Sequence, residues 1–143
     1  LDGSPAAEKA LPFAEELAKA HGGQLHLVSV CSWASTSFPA EAGYYISPEL
    51  IEAQLKSQDE YLTKVQLDLH ERGLEAKTYG LEGNALQRLL EFAESHKVDL
   101  IVLTSHGRTA FKRFLLGSVA ENVARLAPCP VLLVGHESFA NAK

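Results

Sequence analysis

Residues 99–121 read DLIVLTSHGRTAFKRFLLGSVAE. From Asp99 to Thr104 the run is nearly unbroken in its apolar character, as expected of a strand covered on both faces of a parallel sheet. Ser105 to Leu116 reads as a loop, opened by Ser105-His106-Gly107-Arg108 and rich in cations further on. Ser118 and Glu121 stand at the S-x-x-E spacing of a capping box, so a helix is expected to begin there with Ser118 as its cap. That helix ends before Pro128 and Pro130. Val131 to Val134 is a final apolar strand, followed by a polar tail.

The same alternation extends towards the start of the chain. Ser4-Pro5 opens a helix, because serine suits the N-cap and proline the first helical position. Ala10, Phe13, Ala14, Leu17 and Ala18 continue it at helical spacing, and Gly22-Gly23 stops it. A strand is expected over Leu25 to Val30. Cys31 to Ser47 is irregular, with Trp33, Phe38, Tyr44 and Tyr45 interleaved. Ser47-Pro48 opens a long helix to about Glu71, whose Ile51, Leu55, Leu62, Val65 and Leu69 keep one face apolar. Residues 74 to 81 form a modest strand. Gly83-Asn84 opens a helix with Leu86, Leu89, Leu90 and Ala93 on one face. Strands alternating with helices imply right-handed crossovers and a parallel α/β sheet with helices on both faces. The chain holds no methionine, and Leu1-Asp2-Gly3-Ser4 reads as the exit from a strand. A first strand is therefore expected before Leu1.

Composition narrows the function. The 143 residues, 46% hydrophobic and 22% charged, fit one globular domain over residues 1–143. A formal charge of −5 gives no global footprint for nucleic acid. No apolar run is long enough to span a membrane, and a cytoplasmic protein is expected. Between Asp99 and Glu121 no acidic residue occurs, while Arg108, Lys112 and Arg113 all fall there. That local excess suits an anionic ligand, or else a solvated loop. The two cysteines, Cys31 and Cys129, have no metal-ligand spacing and read as reduced, largely buried thiols. The histidines are scattered, so no metal is assigned.

In parallel sheets ligands sit beyond the carboxyl ends of strands. The loop after Thr104 leaves such an end and carries Gly107 and then Gly117-Ser118 at a helix start. Free backbone N–H groups and the helix dipole favour an anion there, and a glycine lets a phosphate approach closely. Ser118 either donates its hydroxyl to a phosphate or caps its own helix.

Four stretches carry a resemblance: Leu1-Asp2-Gly3-Ser4, Ser105-His106-Gly107-Arg108, Leu115 to Glu121, and Ala127-Pro128-Cys129-Pro130-Val131. In order and spacing the chain resembles the universal stress protein family over essentially its whole length. The resemblance implies a five-stranded parallel sheet of order 3-2-1-4-5, its first strand being the one missing before Leu1. It also implies a homodimer through the final strand, residues 130–134. Many members bind ATP through a G-x-x-G-x9-G-[ST] pattern. Gly107, Gly117 and Ser118 match it, and Thr104 stands where its first glycine would be. The implied nucleotide site draws on Asp2, Ser4, Val30, Thr104, Ser105, His106, Gly107, Arg108, Gly117, Ser118 and Val119, with ATP bound alone or with magnesium. Asp2 either faces adenine or serves as a turn residue before Gly3.

The expected function is a stress-response regulatory module that binds ATP or a related adenine nucleotide with little or no turnover. The competing expectation is a member without nucleotide, acting as a dimeric interaction protein. An enzyme on the same fold fits least. Asp2-Gly3-Ser4-Pro5 is not the glycine-rich loop of an ATP-pyrophosphatase, and no Walker lysine or nucleophile–base spacing stands out. No partner of nucleic acid or membrane is expected.

Overall fold

The computed structural model describes residues 1–32, 47–105 and 117–135. The elements are α1 (Pro5–Glu8), α2 (Leu11–His21), β1 (Leu25–Cys31), α3 (Pro48–Glu71), β2 (Ala76–Glu82), α4 (Ala85–Ser95), β3 (Ile101–Thr104), α5 (Ser118–Leu126) and β4 (Val131–Val134).

The helix starts follow their caps. The Ser4 hydroxyl accepts from the Ala7 amide at 3.1 Å, with Pro5 in the first turn. Ser47 caps α3 through the Leu50 amide, and Asn84 caps α4 through the Gln87 amide. Each side chain satisfies an amide that has no partner within the helix. The single helix expected after Ser4 is instead two, divided at Lys9 and Ala10. Pro12 explains the break. It has no N–H to give the Glu8 carbonyl, and its ring crowds that carbonyl. The chain turns tightly there, with Lys9 and Ala10 bonding three residues back to Ala6 and Ala7. Gly22 ends α2 at φ 62°, the left-handed conformation that glycine adopts without strain.

β1 pairs in parallel with β2, Leu25 opposite Ala76 and Cys31 opposite Glu82. β3 pairs in parallel with β4, Ile101 opposite Val131 and Thr104 opposite Val134. The described strands thus form two parallel two-stranded sheets, β1-β2 and β3-β4. They match the outer pairs of the expected order 3-2-1-4-5, and the described strands do not show the five-stranded arrangement itself. The Leu1 nitrogen donates to the Val28 carbonyl at 2.8 Å, which sets Leu1 beside β1. β3 is half-buried along its whole length rather than covered on both faces. It has only four residues, and α1 is the helix packed most against it.

The core lies between α3 and one face of β1-β2. Leu62, Val65 and Leu69 of α3 meet Leu27, Ala76, Leu74 and Ala18 there. Gln58 continues the buried stripe of α3, and Gly80 of β2 makes room for it. A Cβ on Gly80 would stand 3.2 Å from the Gln58 Oε1 and 2.9 Å from an Asp59 carboxylate oxygen. Arg72 at the end of α3 reaches the Glu15 carboxylate of α2 at 2.5 Å. The opposite sheet face is covered by α4 through Phe92, and α4 in turn packs on α5.

Candidate functional site

Two backbone hydrogen bonds shape the carboxyl end of β3. The Ser105 amide donates to the Val134 carbonyl of β4 at 3.0 Å, extending the ladder one residue past Thr104. The Gly117 amide then donates to the Ser105 carbonyl at 2.8 Å. Ser105 is 8% exposed. The end of β3 is therefore fastened to the start of α5.

Gly117, not Ser118, is the N-cap of α5. Its φ of −62° and ψ of 143° are extended, and no side chain caps the helix. The expected capping box between Ser118 and Glu121 is not formed. A cap residue must be extended, but Ser118 already lies in the helix. The Glu121 amide makes the first helical bond, to the Gly117 carbonyl at 2.9 Å. The hydroxyl of Ser118 is thus not committed to its own helix, and the first amides of α5 have no side-chain cap. Ser118 and Val119 are exposed, while Ala120 is buried. Open N–H groups at the positive end of a helix dipole suit an anion. Gly117 does not need a left-handed conformation here. What glycine supplies at this point is the absence of a Cβ beside those amides.

The Asp2–Ser4 turn is the second part of the expected site. One Asp2 carboxylate oxygen accepts from the Ser4 amide at 2.9 Å and from the Ser4 hydroxyl at 2.6 Å. Gly3 between them takes φ 79°. Asp2 therefore orients the serine that caps α1. α1 packs on β3, which brings this turn to the same strand that leads into the α5 joint. Val30 is half-buried near the carboxyl end of β1, opposite Leu81. Thr104 is the last residue of β3 and is half-buried. His106, Gly107 and Arg108, with Lys112 and Arg113, lie outside the described residues, as do Trp33, Phe38, Tyr44 and Tyr45.

Among the described residues no three His, Cys, Asp or Glu side chains gather as a metal site. Among them, too, no helix is long and apolar enough to cross a membrane. Cys31 and Cys129 form no disulfide and are half-buried, and burial pushes the Cys129 thiol up from its ordinary value.

The family model described as "Universal stress protein family" matches residues 1–135. The chain belongs to that family. Universal stress protein MJ0531 of Methanocaldococcus jannaschii is 38% identical over 135 residues, covering 93% of this chain and 77% of its own. Universal stress protein YxiE of Bacillus subtilis is 30% identical over 139 residues, covering 94% of each. The solved structure of MJ0577 superimposes with a TM-score of 0.79 at 27% identity, over 92% of this chain and 89% of that one. The fold is also shared with a universal stress protein of Archaeoglobus fulgidus solved in complex with dAMP. That match has a TM-score of 0.64 at 23% identity, over 93% of this chain and 90% of that one. An Arabidopsis thaliana family member solved with AMP matches with a TM-score of 0.58 at 17% identity, over 90% and 75%.

Proposed function

We propose that this universal stress protein is a regulatory module of the cytoplasm that binds ATP or a close adenine nucleotide and turns it over slowly or not at all. One observation carries the reading: the Ser105–Gly117 joint sets an uncapped helix N-terminus against the carboxyl end of a parallel strand. That is where a phosphate chain meets backbone N–H groups in sheets of this type. Ser118 adds a hydroxyl, and Arg108, Lys112 and Arg113 add positive charge to the connecting segment. The dAMP and AMP complexes of relatives with the same fold support an adenine nucleotide as the ligand class. Magnesium would arrive with the polyphosphate, since the described side chains offer it no cluster.

Hydrolysis demands an oriented water and charge stabilisation beyond ground-state binding. No carboxylate or glutamine occurs from residue 104 to 118 to orient that water, which supports a binding role without turnover. One observation favours a second reading. Thr104 places a side chain where the family pattern has its first glycine, and a threonine that excludes the ribose would leave a nucleotide-free interaction protein. Equilibrium titration with a fluorescent ATP analogue decides between them. Saturable binding with magnesium, displaced by unlabelled ATP, is expected. Its absence at millimolar nucleotide would overturn the reading.

A further inference from the structure

The sheet face beneath α4 holds four aromatic rings from three elements. His26 of β1 stacks on Tyr79 of β2, with centroids 5.4 Å apart and planes 6° from parallel. Phe92 and His96, at the end of α4, stack at 3.9 Å and 16°. The two stacks meet edge to face, Tyr79 against Phe92 at 4.6 Å and His26 against His96 at 5.9 Å. His26 also meets Phe92 at 5.9 Å and Tyr79 meets His96 at 5.3 Å, so all four contacts between the stacks join the end of α4 to the sheet. The Nδ1 of His26 is buried and has no hydrogen-bond partner. His96 is exposed, and its Nδ1 lies 3.0 Å from the Ser95 hydroxyl and 3.2 Å from the Phe92 carbonyl.

We propose that His26 and His96 form a proton-sensitive latch, closed while His26 is neutral, that holds α4 on the β1-β2 sheet and opens in acid. An imidazolium must donate from both ring nitrogens. A charged His26 would therefore bury an N–H with no acceptor and lose its place in the cluster. The charged and titratable neighbours that face it are Lys77 and Tyr79 from β2 and His96 from α4. Lys77 stands directly opposite His26 in the strand register. Burial, then the His96 ring, then the Lys77 ammonium hold His26 below the ordinary imidazole range.

The sign follows from the two states. Above about pH 6.5, the unperturbed value for histidine, neither the folded nor the unfolded chain carries this proton, and the contribution to stability is complete. Below it the unfolded chain takes up the proton first, so folding weakens until His26 itself titrates. The device has a route outward. α4 starts beside the end of β1, where the Gly83 amide donates to the Cys31 carbonyl at 3.0 Å, and α4 packs on α5.

The latch is read in ligand-free protein, so its test is independent of the nucleotide. Urea unfolding is followed between pH 7.5 and 5, with histidine ring protons tracked by NMR and amide exchange compared between α4 and α3. Each unit by which His26 titrates below the ordinary value should weaken the folding equilibrium about tenfold across that range. Exchange over residues 85–95 should quicken more than in α3. The variant His26→Phe keeps a ring in the stack and should lose this pH dependence. His26→Gln serves the same purpose if the first variant does not fold, and the wild-type titration stands without either. A His26 ring that titrates at the ordinary value, or a variant whose pH slope parallels the wild type, would overturn the proposal.

Discussion

The ion pair between Arg72 and Glu15 should break asymmetrically, depending on which partner is removed. Glu15 has a side chain only 9% exposed, whereas that of Arg72 is 48% exposed. In Arg72→Met the carboxylate is left buried without its cation. Uncompensated buried charges of this kind cost about 3–5 kcal/mol, and the half-exposed partner argues for the lower end, about 3 kcal/mol. Arg72 also donates its Nε to the Asp68 carbonyl at 3.0 Å, a bond that closes the last turn of α3 and is lost as well. In Glu15→Gln the guanidinium can turn to water and the amide oxygen can still accept. That change should cost only about 1 kcal/mol. With a urea m-value of about 2 kcal/mol/M for a domain of this size, the midpoints should fall by about 1.5 M and about 0.5 M. The double variant should be more stable than the sum of the single losses implies, because the charge that Arg72→Met strands is no longer there. Equal costs for the two single variants, or strict additivity in the double, would refute the assignment of Glu15 as a buried charge that depends on Arg72.

Three further outcomes are expected. Gly117→Val should abolish nucleotide binding while far-UV circular dichroism stays unchanged, because the extended Gly117 backbone tolerates any residue and the added side chain would crowd the α5 amides. Equal affinity for parent and variant would place the site elsewhere. Replacing Arg108, Lys112 and Arg113 with glutamine should weaken binding, and weaken it less in high salt, where their field is already screened; unchanged affinity at low salt would make that segment a solvated surface. Light scattering at micromolar concentration should find a dimer through β4, whose Val131, Leu132 and Leu133 are only half-buried, with Leu126 nearby in sequence 57% exposed. A monomer at that concentration would count against it.

Local chemistry made most of the elements readable. Ser4-Pro5, Ser47-Pro48 and Asn84 each announced a helix, because a cap is decided by a few adjacent atoms. The strands at Leu25 and Val131 were likewise visible in their own residues. The readings that failed are those in which a neighbouring residue competes. Pro12 divides a helix whose apolar spacing runs straight through it. The Ser118–Glu121 spacing suggests a cap one residue late, because the Gly117 amide is drawn to the Ser105 carbonyl and Gly117 is left extended. Other features were out of reach for a different reason. Arg72 finds Glu15 57 positions away. His26, Tyr79, Phe92 and His96 meet only once two strands have paired and a helix has crossed over them. The order of five strands is not shown by the two described pairs. The positions of His106, Gly107 and Arg108, which carry much of the expected site, lie outside the described residues.

The bond from the Gly117 amide to the Ser105 carbonyl closes a ring of chain at a fixed knot. In such a ring the free energy of closure grows only with the logarithm of its circumference, about 0.6 kcal/mol for each doubling. A change in the length of the segment between them therefore alters the closure cost little, while the helix amides behind the knot keep their aim.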